Sequence, residues 1–445
     1  MKLPLRRNPG NEPTLTPDPQ RPAGAPAQAS SSAAPHAARA ATPAGSRPLL
    51  VYVHFPWCLE KCPYCDFVSE KIDRNAIDHE AYENAVLREL DARTSEPDRL
   101  GSRHLVSVFF GGGTPSLWAT ESLGRVLRGI QARFPAAPGS EVEVTVECNP
   151  SSLDEAKARA LRDVGVNRLS VGVQSLSKDR LAFLGRLHDE RGALAALEGA
   201  VRSGMPRISG DLLFGVSGQT PTVAGQEAAR IAATGVTHVS AYNLTIEAGT
   251  KFGELARRGR LPLADEGLMV ESFFAVEGAL AATGLGHYEV SNYGAAGHES
   301  RHNLGYWRGV DYLALGTAAV GALSENENPA TATRYRNHPD VRKYVRAAAT
   351  TNPNNVWTTG GVTHTTELLD GETRLRERIM LGLRLAEGVD LDEAASDLAV
   401  SPWSASRAAA ATRLVSRGRL LRARGRLTLP REAWIFADGI AAELF

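Results

Sequence analysis

Cysteine is scarce in this chain of 445 residues, which contains only four. So few thiols exclude the disulfide framework of a small secreted protein and favour a reducing compartment. No apolar run reaches the roughly 18 residues that a membrane-spanning helix needs. Basic and acidic residues balance at 50 each, which removes the overall field that would draw the chain to nucleic acid. We therefore expect a cytoplasmic protein that does not bind nucleic acid.

Large apolar side chains are almost absent from residues 1–47, which consist mainly of Pro, Ala, Ser and Arg. Such a segment cannot bury enough apolar surface to fold, so we expect a disordered tail. An organelle transit peptide would share the Arg and Ser content. The prolines, together with Glu12 and Asp18, interrupt the amphipathic helix that a transit peptide needs, so the composition favours the tail.

From Leu49 onward, short β-branched runs alternate with longer amphipathic runs, which is typical of βα units around a parallel sheet. Six units are too few for a closed eight-stranded barrel, so we expect an α/β fold with a partial (β/α)6 barrel. Its binding groups should lie at the carboxyl ends of the strands. The predicted strands are residues 49–55, 104–110, 141–147, 168–174, 208–215 and 236–244.

The helix after the third strand is predicted to begin with a capping box of Ser152 and Glu155 and to end at Gly165. Its apolar face is predicted to consist of Leu153, Ala156, Ala160, Leu161 and Val164.

The alternation of strands and helices fades beyond about residue 300. We therefore assign residues 48–300 to the partial barrel, 301–365 to a connecting segment, and 366–445 to a smaller, mostly helical, winged-helix-like C-terminal domain. The last region contains an Arg-rich run that lacks aromatic residues for base stacking, so we interpret it as a solvated face. The arginines of this run are Arg413, Arg417, Arg419, Arg422, Arg424 and Arg426.

Three of the four cysteines, Cys58, Cys62 and Cys65, lie within eight residues directly after the first strand. Three thiolates on one loop suit an iron–sulfur cluster or zinc. A structural zinc site needs four ligands, whereas Cys148 stands alone and His54 lies back in the strand. Three ligands would leave one iron of a four-iron cluster open, and Cys148 is expected to be an inert buried thiol.

Polar groups follow the other predicted strands where each one ends. The second strand runs into Gly111–Thr114, where missing side chains let backbone approach a ligand closely. Glu147 ends the third strand and Gln174 the fourth, and Asp211 lies within the fifth. Buried polar side chains need partners, so these residues are candidate ligand contacts.

The CxxxCxxC spacing resembles the radical S-adenosylmethionine (SAM) superfamily, whose cysteine loop holds a 4Fe-4S cluster that chelates SAM. Tyr52-x-His54-x-Pro56, GGGTPS, ECNP, SVGVQS, DLLFG and GQT occur in the order seen in one of its branches. That branch comprises the oxygen-independent coproporphyrinogen III oxidases and the HemW-type heme chaperones, and the likeness covers residues 48–445. GVSGQT replaces the usual GLPGQT, which affects loop rigidity. The resemblance implies SAM contacts by Tyr52, Tyr64, Phe67, Gly112, Gly113, Thr114, Glu147, Gln174, Arg186 and Asp211.

Two features separate the branches and favour the chaperones. The oxidases usually carry another cysteine two residues after the third, where this chain has Phe67. The run from His302 to Trp307 resembles the HNxxYW signature of the chaperones. It implies His302 as a heme ligand beside a flat aromatic wall of Tyr306 and Trp307.

The resemblance further implies heme, heme-accepting proteins and a protein reductant as partners, with peripheral contact to a membrane as a further expectation. A coproporphyrinogen III oxidase and a zinc-stapled binding module stay open as alternatives. Whether the chain is an enzyme therefore stays open as well.

Overall fold

A computed structural model describes residues 46–95, 100–326 and 328–445. The predicted tail lies almost entirely outside these ranges. The strands are β1 (Arg47–Phe55), β2 (Trp57–Cys58), β3 (Glu70–Lys71), β4 (Arg103–Gly112), β5 (Glu143–Cys148), β6 (Arg168–Gln174), β7 (Arg207–Phe214), β8 (His238–Asn243), β9 (Gly286–Glu289), β10 (Asn292–Gly294), β11 (Asp311–Leu315), β12 (Val320–Ser324), β13 (Ala332–Asn337), β14 (Thr363–Leu369), β15 (Val389–Asp390), β16 (Leu421–Ala423) and β17 (Arg426–Thr428). The helices are α1 (His79–Thr94), α2 (Thr120–Arg133), α3 (Glu155–Asp163), α4 (Lys178–Phe183), α5 (Glu190–Arg202), α6 (Pro221–Ala232), α7 (Lys251–Arg257), α8 (Glu266–Ala281), α9 (Arg301–Trp307), α10 (Val341–Ala348), α11 (Gly371–Gly382), α12 (Leu391–Asp397), α13 (Ala405–Ser416) and α14 (Ala437–Glu443).

Six parallel strands form the centre of the fold, in the order β1-β4-β5-β6-β7-β8. Each begins and ends within two residues of its predicted bounds. The partial (β/α)6 barrel is therefore confirmed. The sheet continues at both edges, in the full order β14-β13-β12-β11-β1-β4-β5-β6-β7-β8-β10-β9.

The two faces of the central strands differ in chemistry because side chains alternate along a strand. In β5, Val144 and Val146 are buried in the hydrophobic core, whereas Glu143 and Glu147 point to the other face. In β7, a Cβ on Gly210 would meet Ile231 of α6, so the face that carries Gly210 packs against helices. Asp211 lies on the opposite, polar face, which is the concave side of the open barrel.

Residues 301–365, predicted as a connecting segment, contain helices α9 and α10, strands β11, β12 and β13, and the start of β14. Strand β11 pairs in parallel with β1, and β12, β13 and β14 follow antiparallel. These strands are short and mix polar with apolar residues, as in ATRYRN of β13. Their pairing depends on tertiary contacts, and their sequences lack the alternation of apolar and polar residues that predicts a strand.

Helix α3 begins at Glu155, and its N-cap is Asp154, whose carboxylate accepts from the backbone N–H of Lys157 at 2.7 Å. The predicted cap at Ser152 is wrong, because Ser152 lies in a preceding 3-10 turn. The helix buries Ala158 and Leu161. Ala156 and Ala160 are exposed, contrary to the prediction, whereas the predicted end at Gly165, with φ +106°, is confirmed.

The C-terminal region is mostly helical, with α11 to α14 and a small sheet of order β15-β17-β16, as expected for a winged-helix-like fold. It does not separate from the barrel, since all described residues belong to one compact unit. The N–H of Val290 donates to the carbonyl of Arg384 at 3.0 Å, which joins the two regions. Within the described ranges no helix combines the length and apolar character that crossing a membrane requires.

Candidate functional site at the carboxyl end of the barrel

The cysteine loop is closed at its base by a short pair of parallel strands, β2 and β3. The N–H of Glu70 donates to Pro56 O at 2.8 Å, and the N–H of Ile72 donates to Cys58 O at 2.9 Å. A turn in which Cys65 N donates to Cys62 O, at 3.2 Å, brings the second and third cysteines together. All three cysteines are partly exposed, on a loop whose base is fixed by this strand pair.

The thiols have an electrostatic environment that a metal cluster would alter. Burial raises the pKa of Cys65 to about 11 and also raises that of Cys58, so neither is a thiolate at neutral pH without a cation. In the described ranges no three His, Cys, Asp or Glu side chains could hold one metal ion. A four-iron cluster does not need three side chains around one ion, because each thiolate binds its own iron at a separate corner.

The glycine run after β4 packs directly against the cysteine loop. Gly113 N donates to Phe55 O at 2.7 Å, and Thr114 N donates to Trp57 O at 2.8 Å. A Cβ on Gly113 would lie 2.5 Å from Trp57 O, and one on Gly112, where φ is +110°, would lie 2.6 Å from the ring of His54. Packing within the protein therefore requires these glycines. The sequence had suggested a different reason, the close approach of a ligand to the backbone.

Two carboxylates lie on the polar face of the barrel. Glu147 Oε2 accepts from the backbone N–H of Gly112 at 3.0 Å, and burial, with the charge of Asp211, raises the pKa of Glu147 to about 8. Burial also raises the pKa of Asp211, although the hydroxyls of Ser170 and Ser209 donate to it. Two nearby buried carboxylates of raised pKa are typical of a ligand site.

Gln174 and Arg186 are both held under constraint beside these carboxylates. Gln174 ends β6 with φ +65°, a left-handed conformation that costs about 1 kcal/mol or more for a residue with a Cβ. Arg186 donates from Nη1 to Cys62 Sγ at 3.3 Å and from Nη2 to Gly172 O at 2.7 Å. Its Nε is buried and has no hydrogen-bond partner among the described residues, so a donor is left for a ligand.

The predicted aromatic contacts lie in three different settings. The hydroxyl of Tyr52 is 3.1 Å from His54 Nδ1, and its ring stacks on Phe109. Tyr64, in the cysteine loop, belongs to a small apolar cluster with Phe252 of α7, and the two ring centroids are 6.3 Å apart. Phe67 is exposed at the tip of the loop. Of the three, Tyr52 lies beside Glu147 on the polar face, whereas the Tyr64 hydroxyl lies near Cys62 and Arg186.

His302 lies toward the other end of the barrel, on the short helix α9. Its Nδ1 is 2.8 Å from the hydroxyl of Ser107, and its ring centroid is 4.9 Å from that of Phe109. Burial lowers the pKa of His302 to about 3, so the imidazole is neutral. The side chain is almost fully enclosed, since the residue is 9% exposed.

The aromatic residues that follow His302 do not form one flat wall. The rings of Tyr306 and Trp307 meet at 75°, with centroids 5.5 Å apart. The guanidinium of Arg384 lies 5.2 Å from the centroid of the Trp307 ring. The expectation of a single planar surface is wrong, because Tyr306 turns toward Tyr312 in β11.

Sequence reasoning missed two residues that shape this site. Glu143 accepts from the backbone N–H of Arg301 at 3.1 Å and of His302 at 3.0 Å, so it caps helix α9 inside the barrel. Alternation along EVEVTVE places Glu143 on the same face as Glu147, which was the available signal. Tyr242, near the end of β8, lies close to Asp211; burial of the hydroxyl and the charge of Asp211 both raise its pKa, although the residue as a whole is 40% exposed.

The chain is similar to known proteins in both sequence and fold. Residues 52–223 match the Radical SAM superfamily, and residues 369–436 match the HemN C-terminal domain. Heme chaperone HemW of Escherichia coli is 35% identical over 292 residues, which is 66% of this chain and 75% of that protein. HemW of Bacillus subtilis is 33% identical, over 76% of this chain and 84% of that protein.

Among solved structures, the coproporphyrinogen III oxidase HemN of Escherichia coli superimposes with a TM-score of 0.72. The alignment covers 90% of each chain at 18% identity, so it shows a shared fold. The chain therefore belongs to the radical SAM superfamily, in the family of the HemW heme chaperones.

Proposed function

We propose that this chain is a heme chaperone that binds heme and a SAM-chelating 4Fe-4S cluster and passes the heme to acceptor proteins. The observation that carries the proposal is the 35% identity to proteins named heme chaperone HemW over three quarters of their length. Phe67, standing where the oxidases usually have a cysteine, favours the same branch. Heme-accepting proteins and a protein reductant for the cluster follow as partners.

The cysteine loop fits a four-iron cluster with one open corner. Cys58, Cys62 and Cys65 supply three sulfurs from one short loop, and Cys148 is buried, with its thiol donating to Val146 O at 3.5 Å. When bound, the cluster would supply an iron that chelates SAM and an electron for cleaving it. The positive charge of Arg186 favours the thiolate form of Cys58.

The polar face beside the loop fits SAM, which carries an amino acid group, a ribose and a positive sulfonium. Glu147 and Asp211 offer carboxylates, and the unpartnered Nε of Arg186 offers a donor. A positive ligand would favour ionisation of the two carboxylates, whose pKa values burial raises. We assign the SAM contacts to this face, with the backbone of Gly112 to Thr114 nearby.

His302 has two properties that an axial heme ligand needs. Its imidazole is neutral, and the contact between Nδ1 and Ser107 fixes the ring, which leaves Nε2 as the coordinating atom. Within the described ranges Nε2 makes no hydrogen bond. Because the ring is enclosed, heme binding at His302 requires helix α9 to move away from Phe109.

The test uses anaerobically reconstituted protein titrated with heme, in parallel with a sample given coproporphyrinogen, SAM and a reductant. We expect stoichiometric heme binding and no carbon dioxide. Release of carbon dioxide would establish the oxidase and defeat the chaperone proposal. A protein that takes up zinc but no iron would instead be a zinc-stapled binding module.

His302→Ala should weaken heme binding at least tenfold, whereas His364→Ala, which changes an exposed histidine, should not. His302→Gln keeps a polar side chain that can contact Ser107, so it separates loss of the ligand from loss of packing. Unchanged affinity in both His302 variants would exclude this histidine as the ligand.

A further inference from the structure

The small sheet of the C-terminal region carries a run of one-sided charge. Residues 413–426 contain six arginines and no acidic residue, in a chain whose formal net charge is zero. They cover the end of α13, the edge strand β16 and the turn into β17. We call residues 413–426, together with Phe436, the basic wing.

The arginines of the basic wing are almost free of internal partners. Among the described residues only Arg426 of this set forms an ion pair, with Asp390 at 3.5 Å. Arg419 lies over the ring of Phe436 at 5.3 Å, and Arg422 over the ring of Trp403 at 3.9 Å. These rings correct the expectation that the run lacks aromatic neighbours, and they hold two guanidinium groups at the surface.

Large apolar side chains are exposed among these charges. Leu421 is 52% exposed, Phe436 48% and Val415 42%. All three residues of β16 are exposed, and its outer edge has no neighbouring strand in the sheet. Arginines without acidic partners, interleaved with exposed apolar tips, differ from an ordinary solvated face, which would mix charges of both signs.

We propose that the basic wing docks the protein on an anionic phospholipid surface. Guanidinium groups pair with the phosphates of the headgroups, and Leu421, Val415 and Phe436 enter the boundary between headgroups and acyl chains. Double-stranded nucleic acid would satisfy the arginines but would leave the aliphatic tips in water, so the observations favour lipid. The inference is independent of the proposed heme function.

The experiment measures cosedimentation of the full chain with vesicles. We expect binding to phosphatidylcholine vesicles that contain phosphatidylglycerol and little binding to pure phosphatidylcholine. Raising the ionic strength should weaken the binding, because exposed charges are screened. Reversing Arg413, Arg417 and Arg424 to Glu should lower the partition coefficient by on the order of 100-fold. All three side chains are exposed and none forms a hydrogen bond, ion pair or ring contact within the described residues, so the fold should persist.

The matched control reverses Arg342, Lys343 and Arg346 to Glu on helix α10, which makes the same charge change on another surface. It should bind vesicles within about threefold of the unchanged protein. Leu421→Ser should weaken binding several-fold even at high salt. Wing reversal without effect, equal loss in both triple variants, or preference for duplex DNA over anionic vesicles would each overturn the proposal.

Discussion

Nη1 of Arg186 donates a hydrogen bond to Sγ of Cys62 at 3.3 Å, although the two residues are 124 positions apart in the chain. The same guanidinium donates from Nη2 to Gly172 O at the end of the barrel. One side chain therefore fixes the cysteine loop relative to the polar face. A lysine could not reproduce this, because its single ammonium lacks the planar fork of arginine.

Arg186→Lys should retain iron but bind SAM about 10-fold to 100-fold more weakly, the value of one charge-assisted hydrogen bond. Equilibrium dialysis of reconstituted protein against labelled SAM measures this. Arg191→Lys, at an exposed position of α5, is the matched control and should match the unchanged protein. Equal SAM affinity in the two variants would contradict the role of the fork.

Gln174 is predicted to lower the free energy of unfolding while contributing to SAM binding. Gln174→Gly relieves the strain of φ +65° and should raise the free energy of unfolding by about 1 kcal/mol. Gln174→Ala keeps the Cβ and should gain nothing. Both should weaken SAM binding, since both remove the amide. Denaturant titration and SAM dialysis check the pair, and equal stability of the Gly and Ala variants would show that the backbone is unstrained.

Glu147 should make the stability of the metal-free protein depend on pH. In the folded protein the pKa of Glu147 is about 8, above its ordinary value of 4.5. The protonated side chain therefore stabilises the fold fully below pH 4.5, and this stabilisation is lost as the pH rises through about 8. Near pH 9 the free energy of unfolding of Glu147→Gln should therefore exceed that of the unchanged protein by on the order of 3 kcal/mol, which thermal unfolding would show as a higher midpoint, and the difference should vanish near pH 5. Glu121→Gln, at an exposed site of α2, should show no such trend.

Gly113 is predicted to be essential for packing the glycine run against the cysteine loop. Gly113→Ala places a methyl group 2.5 Å from the carbonyl oxygen of Trp57 and should cost about 3 kcal/mol. Gly278→Ala is the control, because its Cβ would meet nothing within 4 Å in helix α8, and should add about 1 kcal/mol. Thermal unfolding distinguishes them, and two variants of equal stability would contradict the packing argument.

The sequence predicted the parts of this protein that depend on local patterns. Strands such as β6 carry β-branched residues in alternation, and the cysteine spacing lies within eight residues, so neither needed tertiary information. The predicted N-cap of α3 was wrong because Ser152 and Asp154 are both good N-cap residues. The choice between them depends on the hydrogen bond of Ser152 with Ser116, which the sequence does not show.

Other features were beyond the sequence because they join distant segments. The contact of His302 with Ser107 spans 195 positions, and that of Arg186 with Cys62 spans 124. Strand β14 is buried only at its two ends, at Thr363 and Leu369, so it carries no alternation to detect. The candidate residues could thus be named from the sequence, whereas their arrangement in space required the fold.

The most direct test of the account is iron and sulfide analysis after anaerobic reconstitution, with electron paramagnetic resonance of the reduced protein before and after SAM is added. We predict about four irons per chain in the unchanged protein and in Cys148→Ser, and a spectrum that SAM alters. Cys58→Ser, Cys62→Ser and Cys65→Ser should each lose the cluster. Unchanged protein without iron, or a spectrum that SAM leaves unaltered, would contradict the account.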